Sequence, residues 1–180
     1  MKRIKEYLGG IQLIEPFVFS DARGCFVKPF HQKQLARLGI RMAVQEEFYS
    51  TSAYNVLRGM HFQAPPHAHS KLIYCTRGAI LDVVVDLRRG SPTYGKVASF
   101  ELSEENRRVV YIPVGFGHGF LSLADCSCLV YKTDSVYAPA YDFGVRWDSI
   151  DFNWPVAQPL LSSRDKEFPT LAGWLSPFVV

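Results

Sequence analysis

Cysteine is scarce: four residues in 180, with no CxxC pair among them. That excludes a disulfide scaffold and the usual paired-thiolate metal and redox motifs. Cys126 and Cys128 would share one face of a strand, as small residues in a reduced interior. A block of Lys or Arg is lacking too, and the net charge of +3 is spread along the chain. This argues against a nucleic-acid partner and leaves a small anionic ligand compatible. No apolar run approaches bilayer length, and no apolar segment follows the charged start Met1-Lys2-Arg3-Ile4-Lys5-Glu6. The expectation is a cytoplasmic protein without membrane association. Repeats, linkers and low-complexity runs are also missing. With 48% hydrophobic and 14% aromatic residues, the chain reads as one well-packed domain, residues 1–180.

Long helical patterns are few, and strand patterns fill the space they leave. Ala79–Leu87 is rich in β-branched residues and ends in the turn cluster Arg88-Arg89-Gly90-Ser91-Pro92. Further short strands are predicted over Lys71–Thr76, Lys96–Leu102, Arg108–Pro113, Gly119–Leu123 and Cys128–Thr133. Short helices are expected over Gln32–Leu38 and Ser103–Arg107, the latter opening on a capped turn, Ser103-Glu104-Glu105-Asn106. Such spacing points to an all-β barrel or sandwich. The tail after Pro155, with Phe168-Pro169, Trp174 and Pro177-Phe178, is expected to pack across the barrel or onto a second subunit.

Two segments carry chemistry. Val56-Leu57-Arg58-Gly59-Met60-His61-Phe62-Gln63, followed by Lys71, groups a proton carrier with two cations. Imidazole exchanges protons near neutral pH, guanidinium grips phosphate, and an ammonium steadies a developing oxyanion. Tyr111-Ile112-Pro113-Val114-Gly115-Phe116-Gly117-His118-Gly119-Phe120 places His118 beside an open, glycine-rich turn. Its spacing resembles the second motif of cupin barrels, and His67-Ala68-His69 resembles half of the first. His67, His69 and His118 could then hold a metal. Against that, Ile73 and Tyr74 stand where a metal cupin supplies its glutamate, so no metal ligands are assigned.

The ordered blocks extend over nearly the whole chain. They include Asp21-Ala22-Arg23-Gly24-Cys25-Phe26, the Val56–Gln63 segment with Ala64-Pro65-Pro66, Lys71-Leu72-Ile73 and Asp82–Arg88. Ser91–Gly95, Pro113–Phe120, Val130-Tyr131-Lys132-Thr133, Tyr137-Ala138-Pro139 and Ser162-Ser163-Arg164-Asp165 complete them. In these the sequence closely resembles the dTDP-4-dehydrorhamnose 3,5-epimerase family, metal-free cupins that invert sugar centres beside a ketone. The resemblance implies an all-β, cupin-like jelly-roll barrel with a few short helices. It also implies a homodimer, a nucleotide-diphosphate 4-keto-6-deoxyhexose substrate and no cofactor, in deoxysugar and polysaccharide synthesis.

By the same resemblance His61 is the base, Asp165 its carboxylate partner, Tyr131 the acid on the opposite face of the enolate, and Lys71 the cation near the ketone oxygen. Arg23 and Arg58 would hold the nucleotide end, with Arg58 on the diphosphate, and Phe26 belongs to the same recognition block. His118, Tyr137, Asp142 and Arg164 would touch the rest of the substrate. Asp142 and Arg164 stand where the family has a glutamate and a lysine, with the charge sign kept. On the side that reads the base, Lys28 replaces a glutamate, Glu46 a glutamine and Phe48 an asparagine. Lys28 and Glu46 are expected to pair across neighbouring strands. A dTDP, CDP or GDP sugar, and inversion at one centre or two, all stay open. The competing functions are a metal-dependent isomerase or oxygenase and a non-catalytic binding protein. The joint presence of His61, Tyr131 and Asp165 argues against the second, since a binding module has no use for an acid–base set.

Overall fold

Strands that are apolar on both faces need cover on both faces, and that requirement organises this chain. The computed structural model describes residues 1–180. Its strands are β1 (Lys2–Tyr7), β2 (Ile11–Glu15), β3 (Phe17–Asp21), β4 (Gly24–Lys28), β5 (Glu46–Ser52), β6 (Leu57–Gln63) and β7 (Lys71–Arg77). They continue with β8 (Ala79–Asp86), β9 (Val97–Ser103), β10 (Val109–Ile112), β11 (Phe116–Ser122), β12 (Ser127–Thr133) and β13 (Asp142–Gly144). Two short helices, α1 (Gln32–Arg37) and α2 (Ser163–Glu167), complete the regular structure with two single 3₁₀ turns.

Two antiparallel sheets face each other as a jelly roll. One runs β1-β2-β10-β7-β12-β5 and the other β13-β6-β11-β8-β9, while β3 and β4 form a separate hairpin. Between the sheets lie Ile11, Leu13, Ile73, Ile80, Val84, Phe100, Val110, Phe120 and Leu129. The alternation along β8 explains its unbroken apolar run: Ile80 and Val84 point into this core, while Val83 and Val85 point outward. That outer face is covered by the tail, whose Phe178 is buried with Met60, Phe62 and Leu87, and whose Trp174 and Leu171 pack alongside. On the opposite side, Leu35 of α1 packs with Ile40 and Met42 on Ile14, Leu72 and Val109 of the six-stranded sheet. No helix is long and apolar enough to cross a membrane.

The six expected strands are all present, with ends displaced by at most three residues. The helix expected over Ser103–Arg107 is absent. Ser103 closes β9, and the next residues form a turn in which the Asn106 N–H donates to Ser103 Oγ (3.1 Å) and the Ser103 N–H to Asn106 Oδ1 (3.2 Å). Those reciprocal side-chain bonds satisfy the backbone locally and compete with a helical ladder. The ion pair expected between Lys28 and Glu46 is absent as well. Lys28 sits on the outlying hairpin with its ammonium 5.6 Å from the Phe26 ring, and Glu46 accepts the Tyr137 N–H at 2.7 Å.

Candidate active site

A mismatch in strand register builds the centre of the site. Along β6 and β11, His118 stands opposite His61 while Phe120 stands opposite Arg58, so β6 spends three steps where β11 spends two. Alternation would otherwise put residues 58 and 61 on opposite faces; the extra residue of a bulge brings both onto one. Gly59 makes this possible. Its φ is +146°, and a Cβ there would lie 2.5 Å from the Gly119 Cα and 3.3 Å from the His118 carbonyl oxygen.

The resulting cavity, about 360 Å³, is lined from the five-stranded sheet by Arg58, His61, Gln63 and His118, and from the other sheet by Glu46, Phe48, Ser50, Lys71 and Tyr131. His69, Tyr137, Asp142 and Arg164 complete the rim and floor. His61 and Tyr131 therefore reach the same space from opposite walls.

Asp165 is buried behind His61 and uses both carboxylate oxygens. Oδ1 lies 2.8 Å from His61 Nε2, and Oδ2 accepts the Gly59 N–H at 3.2 Å. Its own N–H donates to Ser162 Oγ, the N-cap of α2. Burial alone would raise the Asp165 carboxyl, but the bonds and charge of His61, with Gly59 and Ser162, hold it below the usual carboxylate range. An ionised Asp165 accepts from Nε2–H, which leaves the basic lone pair on Nδ1.

Lys71 is buried and donates to the His61 carbonyl at 3.2 Å. Burial pushes its ammonium down to about 8, against the pull of the Asp142 and Asp82 carboxylates. The Tyr131 phenol is pushed upward by burial, while Ser50 and Arg58 act the other way. Arg58 is steadied at the rim by bonds from Nε to Ser52 Oγ and from Nη2 to the Thr51 carbonyl, both 3.2 Å.

Asp82 and Gln63 stand inside matched blocks, yet the motifs assign them no role. Asp82 is fully buried in the inner row of β8 and lies 2.7 Å from His118 Nε2 through Oδ2, while its Oδ1 has no partner. Burial lowers the His118 imidazole, and Asp82 opposes that shift. The signal was available: a carboxylate at an inward position of an apolar strand needs a partner. Gln63 binds the His67 and Val136 carbonyls, the Ala138 N–H and His69 Nδ1, tying the loops over the cavity to β6.

The three histidines weighed as metal ligands do not converge. His67 packs on the Tyr141 ring at 4.6 Å, His69 meets Gln63, and His118 meets Asp82. Burial, aided by the Lys71 charge, pushes His69 down to about 3, so it stays neutral. At the mouth, Arg164 pairs with Asp142 at 2.8 Å, and the Tyr137 hydroxyl donates to Asp142 at 3.2 Å.

Arg23, Phe26 and Lys28 do not line this cavity. They stand on the β3–β4 hairpin, where the Arg23 guanidinium is held by Asp21 of its own turn at 2.6 Å. Phe17, Phe19 and Phe26 of that hairpin are exposed.

A sequence profile described as dTDP-4-dehydrorhamnose 3,5-epimerase matches residues 5–173. The chain is 42% identical over 168 residues to the dTDP-4-dehydrorhamnose 3,5-epimerase of Shigella flexneri, covering 92% of this chain and 93% of that one. Among solved structures it is similar to the enzyme of the same name from Bacillus anthracis with TDP and pyrophosphate bound (TM-score 0.92, 38% identity, 94% and 98% coverage). It is also similar to a 3'-monoepimerase from Streptomyces bikiniensis in complex with dTDP-quinovose (TM-score 0.88, 37% identity, 95% and 89% coverage).

Proposed function

The chain belongs to the dTDP-4-dehydrorhamnose 3,5-epimerase family, and on that footing we propose how this pocket turns over a nucleotide-linked 4-keto-6-deoxyhexose. The protein is an isomerase, an epimerase acting beside the ketone. His61 removes the proton from carbon 3 or carbon 5, its C–H electron pair passing into an enolate. Tyr131 donates its phenolic proton to the opposite face of that carbon, and solvent restores the pair. The observation that carries this reading is that His61, backed by Asp165, and Tyr131 project into one cavity from opposing sheets. Inversion demands an acid and a base on opposite faces.

Lys71 supplies the positive charge for the enolate oxygen. His118, held by Asp82, lines the sugar end, and Arg58 at the rim takes the diphosphate. Tyr137, Asp142 and Arg164 close on the substrate from the mouth. Glu46 and Phe48 face the nucleotide side of the cavity. Arg23, Phe26 and Lys28 stand on a hairpin outside the cavity, so in this reading they serve the pocket of a second copy. The protein is then a cytoplasmic homodimer of single-domain subunits in deoxysugar synthesis. The relatives are named for dTDP sugars, and dTDP-4-dehydro-6-deoxyglucose is the proposed substrate.

The test is deuterium uptake in heavy water, followed by mass spectrometry, with this sugar carried on dTDP, CDP and GDP in parallel. One deuteron per inverted centre is expected with the dTDP sugar, and none with His61→Asn. No uptake on any of the three, with His61 intact, overturns the proposal.

A further inference from the structure

Phe48 is 43% exposed on the edge strand β5, directly opposite Tyr131 of β12. A large apolar side chain so placed gains little from burial. What it does have is a face: its ring and that of Tyr131 are stacked, 4.8 Å between centroids and 12° from parallel. The Tyr131 ring also meets His118 edge-on, at 6.0 Å and 74°, and that imidazole is fixed by Asp82. The phenol is thus held between one ring on the open side of the cavity and another on its buried side. Without Phe48 that face of the ring loses its stacked neighbour, and the phenol is freer to turn.

We infer that Phe48 is a positioning residue, fixing the plane of the Tyr131 ring and so setting how often an enolate is protonated on the Tyr131 face. The inference rests on the assignment of Tyr131 as the acid. Once His61 holds a substrate proton, the enolate has two fates. His61 can return a proton, by then exchanged with solvent, to the face it came from, giving labelled but uninverted substrate. Alternatively the Tyr131 O–H proton forms the new C–H bond on the other face, the enolate electron pair returns to carbon, and the ketone reforms. Proton transfer needs heavy atoms at hydrogen-bond distance, so a phenol free to rotate loses the second route while the first is untouched.

The bland alternative is that Phe48 and Tyr131 are a cross-strand aromatic pair that only supports the sheet. The two accounts separate in one measurement. dTDP-4-dehydro-6-deoxyglucose is incubated in heavy water with wild type, Phe48→Ala and Phe48→Tyr. The ratio of deuterium in recovered substrate to deuterium in epimerised product is then read by mass spectrometry and NMR. For Phe48→Ala the ratio is expected to rise about tenfold, as general-acid assistance is lost while exchange through His61 persists. Phe48→Tyr keeps the stacked face and should restore the wild-type ratio. An unchanged ratio in Phe48→Ala, whatever happens to kcat or KM, overturns the inference, and so does failure of Phe48→Tyr to restore it. Absence of any uptake by wild type would instead remove the epimerase assignment, and this inference with it.

Discussion

At Lys71 folding stability and the chemistry proposed for this residue respond to pH in opposite directions. Its ammonium is buried between the His61 carbonyl and the Asp142 and Asp82 carboxylates, with a proton affinity of about 8 in place of 10.5. The unfolded chain therefore holds this proton through the window from about 8 to 10.5, where the folded chain has released it. Folding stability contributed by Lys71 rises with pH across that window. In the proposed mechanism catalysis needs the charge and so moves the other way. A kcat/KM profile should fall on the alkaline side near pH 8, and Lys71→Met should flatten that limb while lowering kcat by roughly 10²- to 10³-fold. A profile in the variant that keeps the limb would assign it to another group. At this scale the motifs lead to side chains that share one cavity, as His61, Tyr131 and Lys71 do. The place of Asp82 is not legible locally, because it depends on a partner 36 residues away on a neighbouring strand. The supposed Lys28–Glu46 pair failed for the same reason, since nothing local says that β4 leaves the sheet.

Elements follow their local composition closely where one period rules. The strands between residues 71 and 133 carry β-branched alternation bounded by turns, and their limits were readable within a few residues. The β3–β4 hairpin was not, because all five residues of β3 and most of β4 are exposed and no buried face imposes an alternation. The bulge in β6 lay out of reach for a different reason: it breaks the alternation that strand reading assumes. Glycine inside a strand is its one local sign. Gly59→Ala tests it. The added methyl would meet the Gly119 Cα at 2.5 Å and carry a positive φ, so β6 and β11 must part. Stability should fall by more than about 1 kcal/mol. Turnover should fall further than the folded fraction does, as Arg58 and His61 shift relative to each other. Thermal melts alongside specific activity per folded protein would separate the two losses.

Across the whole molecule, the outer face of β8 depends on residues from the far end of the chain. Phe178 is buried against Met60, Phe62 and Val85, and its ring lies 5.9 Å from that of Phe62. Phe178→Ala should cost about 3 kcal/mol. In a domain of this size that lowers Tm by roughly 6–12 °C, measurable by calorimetry at a pH below the Lys71 window. The tail was expected to cover the barrel or a neighbour; its aromatic content pointed to burial, but only the topology shows which surface it buries. The general architecture was legible through ordered motifs more than through periodicity, since periodicity alone allows many arrangements of short strands. The His61–Asp165 pair, separated by 104 positions, has one more consequence, which concerns the order in which the chain is made. All thirteen strands are complete by Gly144, yet Asp165, the partner of His61, is still to come. A nascent or interrupted chain of that length would hold both sheets yet lack Arg164 of the cavity rim, the Asp165 partner of His61 and the aromatic cover of β8. In the proposed mechanism the site is thus completed only after residues 164 and 165 have been made.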